Sequence, residues 1–316
     1  MTRACGAFGL LLAMVVGAGW HGGGRPAGDN QQSDQYTIRT TSRLVLLDVS
    51  VKNPAGALVG GLAKNNFEVR ENGRPQQITH FAHADIPVTV GLVVDESGSM
   101  RSKQALVITA ALGFIGASNP EDETFVINFN EKARRGLPDI RMFSDNVEQL
   151  RAALWQGVPE GRTALYDAIE MAVSQLDFGR RDKKTLIIVS DGGDNVSSHT
   201  LDELMRDILK SAATIYTIGV FDEDDPDKNP RVLKRIAEVS GGEAFFPQKL
   251  DEIVPICRAI AKDIRARYTI GYVPVDEGKP ERQIKVTAWS GSGQKLRVKT
   301  RTRYLFTPEA AEAGAR

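Results

Sequence analysis

Asp95-Glu96-Ser97-Gly98-Ser99 sets three oxygen-bearing side chains, Asp95, Ser97 and Ser99, at alternate positions. Gly98 lets the backbone turn sharply between the two serines, so a carboxylate and two hydroxyls can be aimed at one point. Such donors suit a hard cation like Mg2+, which prefers an octahedron of oxygens. What brings them there is the run before them. Val88, Val90, Leu92, Val93 and Val94 are apolar and mostly β-branched, with Gly91 among them and no charge. A run of that kind predicts a central parallel strand covered on both faces, with the donors at its carboxyl end.

The D-x-S-x-S stretch resembles the metal-ion-dependent adhesion site of von Willebrand factor type A domains. Two further stretches carry the resemblance: Gly161-Arg162-Thr163-Ala164-Leu165-Tyr166-Asp167, and Leu186-Ile187-Ile188-Val189-Ser190-Asp191-Gly192. The resemblance implies a metal set of Asp95, Ser97, Ser99, Thr163 and Asp191. In it the serine hydroxyls ligate directly, Thr163 ligates directly or through water, and the two aspartates hold coordinated waters or bind directly. It also implies Mg2+ as the ion, with Mn2+ or Ca2+ as alternatives, and a partner protein that offers an Asp or Glu to an open coordination position. Each residue has a plainer structural reading as well. The Ser-Gly-Ser stretch can be only a turn. Thr163 can be a helix N-cap, with Asp167 favouring the helix dipole, and Asp191 can be a turn residue before Gly192-Gly193. Glu96 is expected to point away from its neighbours and to add negative potential at the rim. Asp194 and Asn195 are left outside the metal set, as stabilisers of the third loop or as solvated residues.

The rest of the chain falls into blocks. Met1-Thr2-Arg3 is a short basic start, Ala4–Trp20 carries no charge, and Gly17-Ala18-Gly19 are small. This predicts a signal peptide over residues 1–24 and an exported protein, periplasmic or extracellular, with an uncleaved anchor as the alternative. Residues 25–35 read as a disordered spacer. Residues 36–85 hold strand patterns: Leu44–Val51, then Phe67–Glu71 before the hairpin dipeptide Asn72-Gly73, then Ile78–Phe81. From 86 to 266 strands alternate with helices. The expected strands are 88–94, 124–129, 185–190, 214–220 and the short 244–246, with 137–144 as an extended piece. The expected helices are 103–118, one marked by Val147, Leu150 and Leu154, then 163–176, 201–212, 230–239 and 250–264. Alternation of this kind predicts an α/β fold, a doubly wound and mostly parallel sheet with helices on both faces, in which ligands bind beyond the carboxyl ends of the strands. After 266 the β pattern returns in 268–272, 283–288 and 295–300. Neither β segment holds enough strands for its own sandwich. Residues 36–85 and 267–306 are therefore expected to form one β-sandwich, with the α/β domain inserted between them. Residues 307–316 read as a frayed tail.

Lys plus Arg total 40 and Asp plus Glu total 40, a balance that argues against nucleic-acid binding through a basic surface. Cys257 reads as a small apolar filler on a helix. His80 and His83 lack the further ligand a metal site would need, and the acidic stretch Phe221–Asp227 lacks the Gly and terminal Glu of a calcium loop. His21-Gly22-Gly23-Gly24 imitates an oxyanion-hole motif, but the chain has no G-x-S-x-G elbow to serve. The resulting expectation is an exported, metal-dependent protein-binding module, of adhesion or envelope-scaffold type, without catalysis. A metal-dependent hydrolase is the alternative and would need a base or nucleophile beside the ion. A scaffold whose site holds no physiological metal is the third reading.

Overall fold

The structure is a computed structural model and describes residues 44–221, 226–274 and 279–306. The predicted leader, spacer and tail lie outside the described residues, as do four positions of the acidic stretch. In chain order the elements are β1 (Val45–Lys52), β2 (Phe67–Glu71), β3 (Arg74–Gln76), β4 (Ile78–Ala82), β5 (Val88–Asp95), α1 (Gln104–Ile115), β6 (Glu123–Phe129) and β7 (Ala133–Arg135). Then come α2 (Val147–Leu154), α3 (Leu165–Leu176), β8 (Lys183–Ser190), α4 (Leu201–Lys210), β9 (Thr214–Gly219), α5 (Pro230–Ser240) and β10 (Ala244–Phe245). The chain continues through α6 (Ile253–Arg265), β11 (Tyr268–Tyr272), β12 (Glu281–Ala288), β13 (Arg297–Lys299) and β14 (Arg303–Leu305).

A six-stranded sheet runs in the order β10-β9-β8-β5-β6-β7. Its first five strands are mutually parallel and β7 returns antiparallel along β6. Every residue of β5 is buried, as expected of a central strand with both faces covered. Val88, Val90, Leu92 and Val94 pack with α1, α2 and α6 on one face. Val93 joins Phe125, Ile127 and Ile188 against α3, α4 and α5 on the other. The period of two along the strand thus becomes two separate cores. The helix ends follow ordinary capping chemistry. Thr200 and Glu203 form a reciprocal capping box on α4, and α5 ends at Gly241 with φ +86°, the left-handed conformation glycine takes without penalty.

The flanking segments form one β-sandwich. Its sheets are β13-β1-β11-β4 and β14-β12-β2-β3. The pairing is between segments: β1 lies between β11 and β13, β4 pairs with β11, and β2 pairs with β12. Leu47, Val49, Phe67 and Val69 from the first segment share a core with Tyr268, Ile270 and Ile284 from the second. Buried within the sandwich, Glu71 takes hydrogen bonds from Tyr272 Oη at 2.6 Å, Tyr304 Oη at 2.8 Å and Arg282 Nη1 at 3.1 Å.

Arg267 and Asp263 join the sandwich to the wound sheet. Arg267 is buried and donates to Asp263 at 3.2 Å, to Tyr216 Oη at 3.0 Å and to the Gly241 carbonyl at 2.9 Å. Asp263 also accepts from Ser50 on β1 and from Tyr216 on β9. Burial alone would raise the Asp263 carboxyl, but Arg267 and the two hydroxyls outweigh it and hold it below its ordinary range. Cys257 is buried on α6, and burial pushes its thiol up to about 12. Among the described residues no helix is long and apolar enough to cross a membrane.

Three expectations are corrected. Asn72-Gly73 does make a hairpin, but its return strand is β3, after which the chain crosses at Gln77 so that β4 joins the other sheet. The stretch 137–144 is not a strand; only Ser144 bridges, to Thr124. The helix expected from Thr163 starts at Leu165, for a reason given by the loops described next.

Candidate functional site

β5 and β8 are parallel neighbours in register, with Val94 opposite Val189. Their carboxyl ends therefore deliver Asp95 and Ser190-Asp191 side by side. Ser190 Oγ donates to Asp95 Oδ2 at 2.6 Å, and the Ser97 amide donates to Asp95 Oδ1 at 2.8 Å. The backbone then turns through Gly98–Met100. That turn sets Ser97 Oγ 3.1 Å from Ser99 Oγ, and Ser99 Oγ donates to Asp191 Oδ2 at 2.6 Å. Asp191 Oδ1 accepts from the Gly193 amide at 2.9 Å. Four of the five expected residues thus form one bonded cluster at the strand ends.

The fifth arrives on a separate loop. The Gly98 amide donates to the Gly161 carbonyl at 3.2 Å, the Glu160 amide to the Glu96 carbonyl at 3.0 Å and Arg101 Nε to the Pro159 carbonyl at 3.1 Å. Thr163 is 6 % exposed and exchanges backbone contacts with Asn195: its amide donates to Asn195 Oδ1 at 3.0 Å, and its carbonyl accepts from the Asn195 amide at 2.9 Å. Asn195 thereby ties the second loop to the third. Thr163 is not a cap. The N-cap of α3 is Ala164, which has no capping side chain. The free amides of the first turn are met from the third loop instead. Tyr166 N–H donates to Asp194 Oδ1 and Ser197 Oγ, both at 3.1 Å, and Asp167 N–H donates to Ser197 Oγ at 3.2 Å. Asp167 in turn accepts from the Ser198 and His199 amides and lies 2.7 Å from His199 Nδ1. Its proximity raises the His199 imidazole.

Charge is concentrated here. Asp95 and Asp191 are each 2 % exposed. Burial, then the Asp191 charge, pushes the Asp95 carboxyl up to about 7, although bonds from Ser190 and Ser97 act the other way. Glu96 corrects an expectation. It does not stand at the rim: it is fully buried, its carboxylate raised by that burial and paired with Arg134 Nη2 at 2.7 Å. Its backbone amide donates to the Phe129 carbonyl, and among the described residues its Oε1 has no hydrogen-bond partner. A Cβ on Gly157 would fall 1.8 Å from Glu96 Oε2. Glu96 therefore anchors the first loop to the β6–β7 hairpin and to the loop through Gly157.

Sequence reasoning missed Ser190, Arg134, the anchoring role of Glu96 and the Asp167–His199 contact. A serine before a site aspartate is a visible signal. Arg134 was hidden because it lies 38 positions from its partner, on a polar strand without alternation. Among the described residues no three His, Cys, Asp or Glu side chains group as a metal cluster; the donors gathered at the strand ends are the carboxylates of Asp95 and Asp191 and serine hydroxyls.

Residues 90–193 match the family model described as von Willebrand factor type A domain. An uncharacterized protein of Synechocystis is 25% identical over 186 residues, 55% of this chain and 41% of that protein. The pig inter-alpha-trypsin inhibitor heavy chain H4 is 25% identical over 195 residues, 56% of this chain and 21% of the relative. The chain thus spans less than half the length of these curated relatives. A solved structure described as von Willebrand factor type A from Catenulispora acidiphila aligns with a TM-score of 0.50 at 15% identity, over 84% of this chain and 74% of that one. At that identity the likeness speaks to fold alone. With the motif loops, the wound sheet and the family match in agreement, residues 90–193 of the chain are a von Willebrand factor type A domain.

Proposed function

We propose that this is an exported protein-binding module, of adhesion or scaffold type, which holds Mg2+ at Asp95, Ser97, Ser99, Thr163 and Asp191 and recognises an acidic side chain of a partner. The observation that carries the reading is the cluster itself. Two buried carboxylates stand close enough for one to raise the other, with the Ser97 and Ser99 hydroxyls linked to Asp191 beside them. A cation at that point would relieve the repulsion, and an all-oxygen donor set suits a hard ion. Neutral hydroxyls leave such an ion much of its charge, which favours an incoming carboxylate. What the ion would supply is that attraction. The chain's own part is to fix the three loops, through the Gly98–Gly161 and Thr163–Asn195 contacts, before any partner arrives. No turnover is part of the reading.

The test is retention from envelope extracts on the immobilised chain. Partner protein should be held in Mg2+, released by EDTA and not held by Asp191→Ala. A partner whose contact acid is replaced by Ala should also fail to bind. Retention that ignores both EDTA and the substitution contradicts the reading, as does chelator-sensitive hydrolysis of a supplied substrate.

A further inference from the structure

Where the sandwich meets the end of the wound domain, a cavity of about 620 Å3 opens between α6 and the loops around Leu58 and Ala84. Its size falls in the range of small-molecule sites, which are mostly apolar with a few placed polar groups. Leu58, Ala84 and Ala117 supply apolar wall. His83 adds a rigid side, because its ring stacks on Tyr268 at 4.1 Å between centroids.

The lip is cationic. Arg258, Lys262 and Arg265 share one stripe of α6, and all three line the cavity. Arg265 is held by Asp85 at 2.6 Å and reaches the Ala117 carbonyl. The Arg258 and Lys262 side chains have no ion pair or hydrogen bond among the described residues. Like charges four apart on a helix disfavour it. A cation in the last turn is favoured by the helix dipole, but Arg258 lies mid-helix, where that benefit has faded. Two cations without an ion-pair partner among the described residues, over an apolar cavity, are complementary to a molecule with an apolar body and an anionic head.

We propose that this cavity binds a small amphipathic anion, its apolar body between Leu58, Ala84 and Ala117 and its head group at Arg258 and Lys262. The site is separate from the Asp95 cluster and does not rest on the metal reading. The test is calorimetric titration of the full chain with octanoate, 1-octanol and inorganic phosphate. Octanoate should saturate at one per chain, tighter than either the neutral alcohol or the bare anion. Arg258→Glu with Lys262→Glu should weaken octanoate by at least about tenfold while the circular-dichroism spectrum stays that of the folded chain. Ala84→Trp, which fills the cavity from an exposed position, should weaken it too. The proposal is overturned if octanoate shows no saturable binding, if octanol or phosphate binds as tightly, or if the charge reversal leaves octanoate unaffected.

Discussion

Asp95 is where the chemistry of single residues is most exposed to measurement. Its carboxyl in the folded chain stands at about 7 against an ordinary 3.8. A raised value means the folded state holds the proton more tightly than the unfolded state. The group's contribution to stability is therefore complete below about pH 4 and is lost as the pH climbs to about 7. Without metal, the unfolding temperature should fall across that window, and Asp95→Asn should flatten the fall. Thermal unfolding in chelator from pH 4 to 8 checks this. A flat wild-type profile, or an unchanged slope in the variant, contradicts it. That Asp95, Ser97 and Ser99 would converge at one point was legible from residue type and spacing. Glu96 was not, since its burial depends on Arg134 from a distant hairpin, and local sequence does not show which charge will neutralise another.

At the scale of elements, the strand–loop–helix units were legible wherever apolar periodicity was strong. β5, β6, β8 and β9 are fully or almost fully buried, and their apolar runs stood out. β7, β3 and β14 did not stand out, because each has only three residues, mostly polar in β3 and β7, and is defined by its neighbour's hydrogen bonds. The start of α3 was misplaced for a related reason: its first amides are met by Asp194 and Ser197 from another loop. Loop contacts of this sort also set the expected response at Gly157. An added methyl there would collide with the buried, ion-paired Glu96. Gly157→Ala should lower stability by about 1–3 kcal/mol, as overpacking commonly does, and Glu96→Ala in the same chain should recover part of it. Urea unfolding of the single and double variants decides the matter; equal stability of Gly157→Ala and wild type would rule out a rigid anchor.

At the largest scale, the described residues form a wound domain set into a sandwich built from both flanks, and its junction is polar as well as apolar. The need for each β segment to find a partner was visible in their alternation. Which strand joins which sheet was not, because the crossing at Gln77 leaves no mark in the apolar pattern. Nor was the Arg267–Asp263 link, which depends on Ser50, Tyr216 and Gly241 converging from three elements. Removing one member leaves the other charge buried. Arg267→Met should cost about 3–5 kcal/mol in urea unfolding, and Arg267→Met with Asp263→Leu should cost less than the single change. If the single variant is as stable as wild type, the junction does not depend on this pair.

The central proposal is that three loops at the carboxyl ends of the strands form a cation site from Asp95, Ser97, Ser99, Thr163 and Asp191. The most direct measurement is calorimetric titration of Mg2+ into the metal-free chain at pH 8, beside Ser99→Ala and Asp191→Ala. The account predicts one saturable site in the wild type and none in either variant, with all three chains folded by circular dichroism. No binding to the wild type, or the same binding in Asp191→Ala, would contradict it.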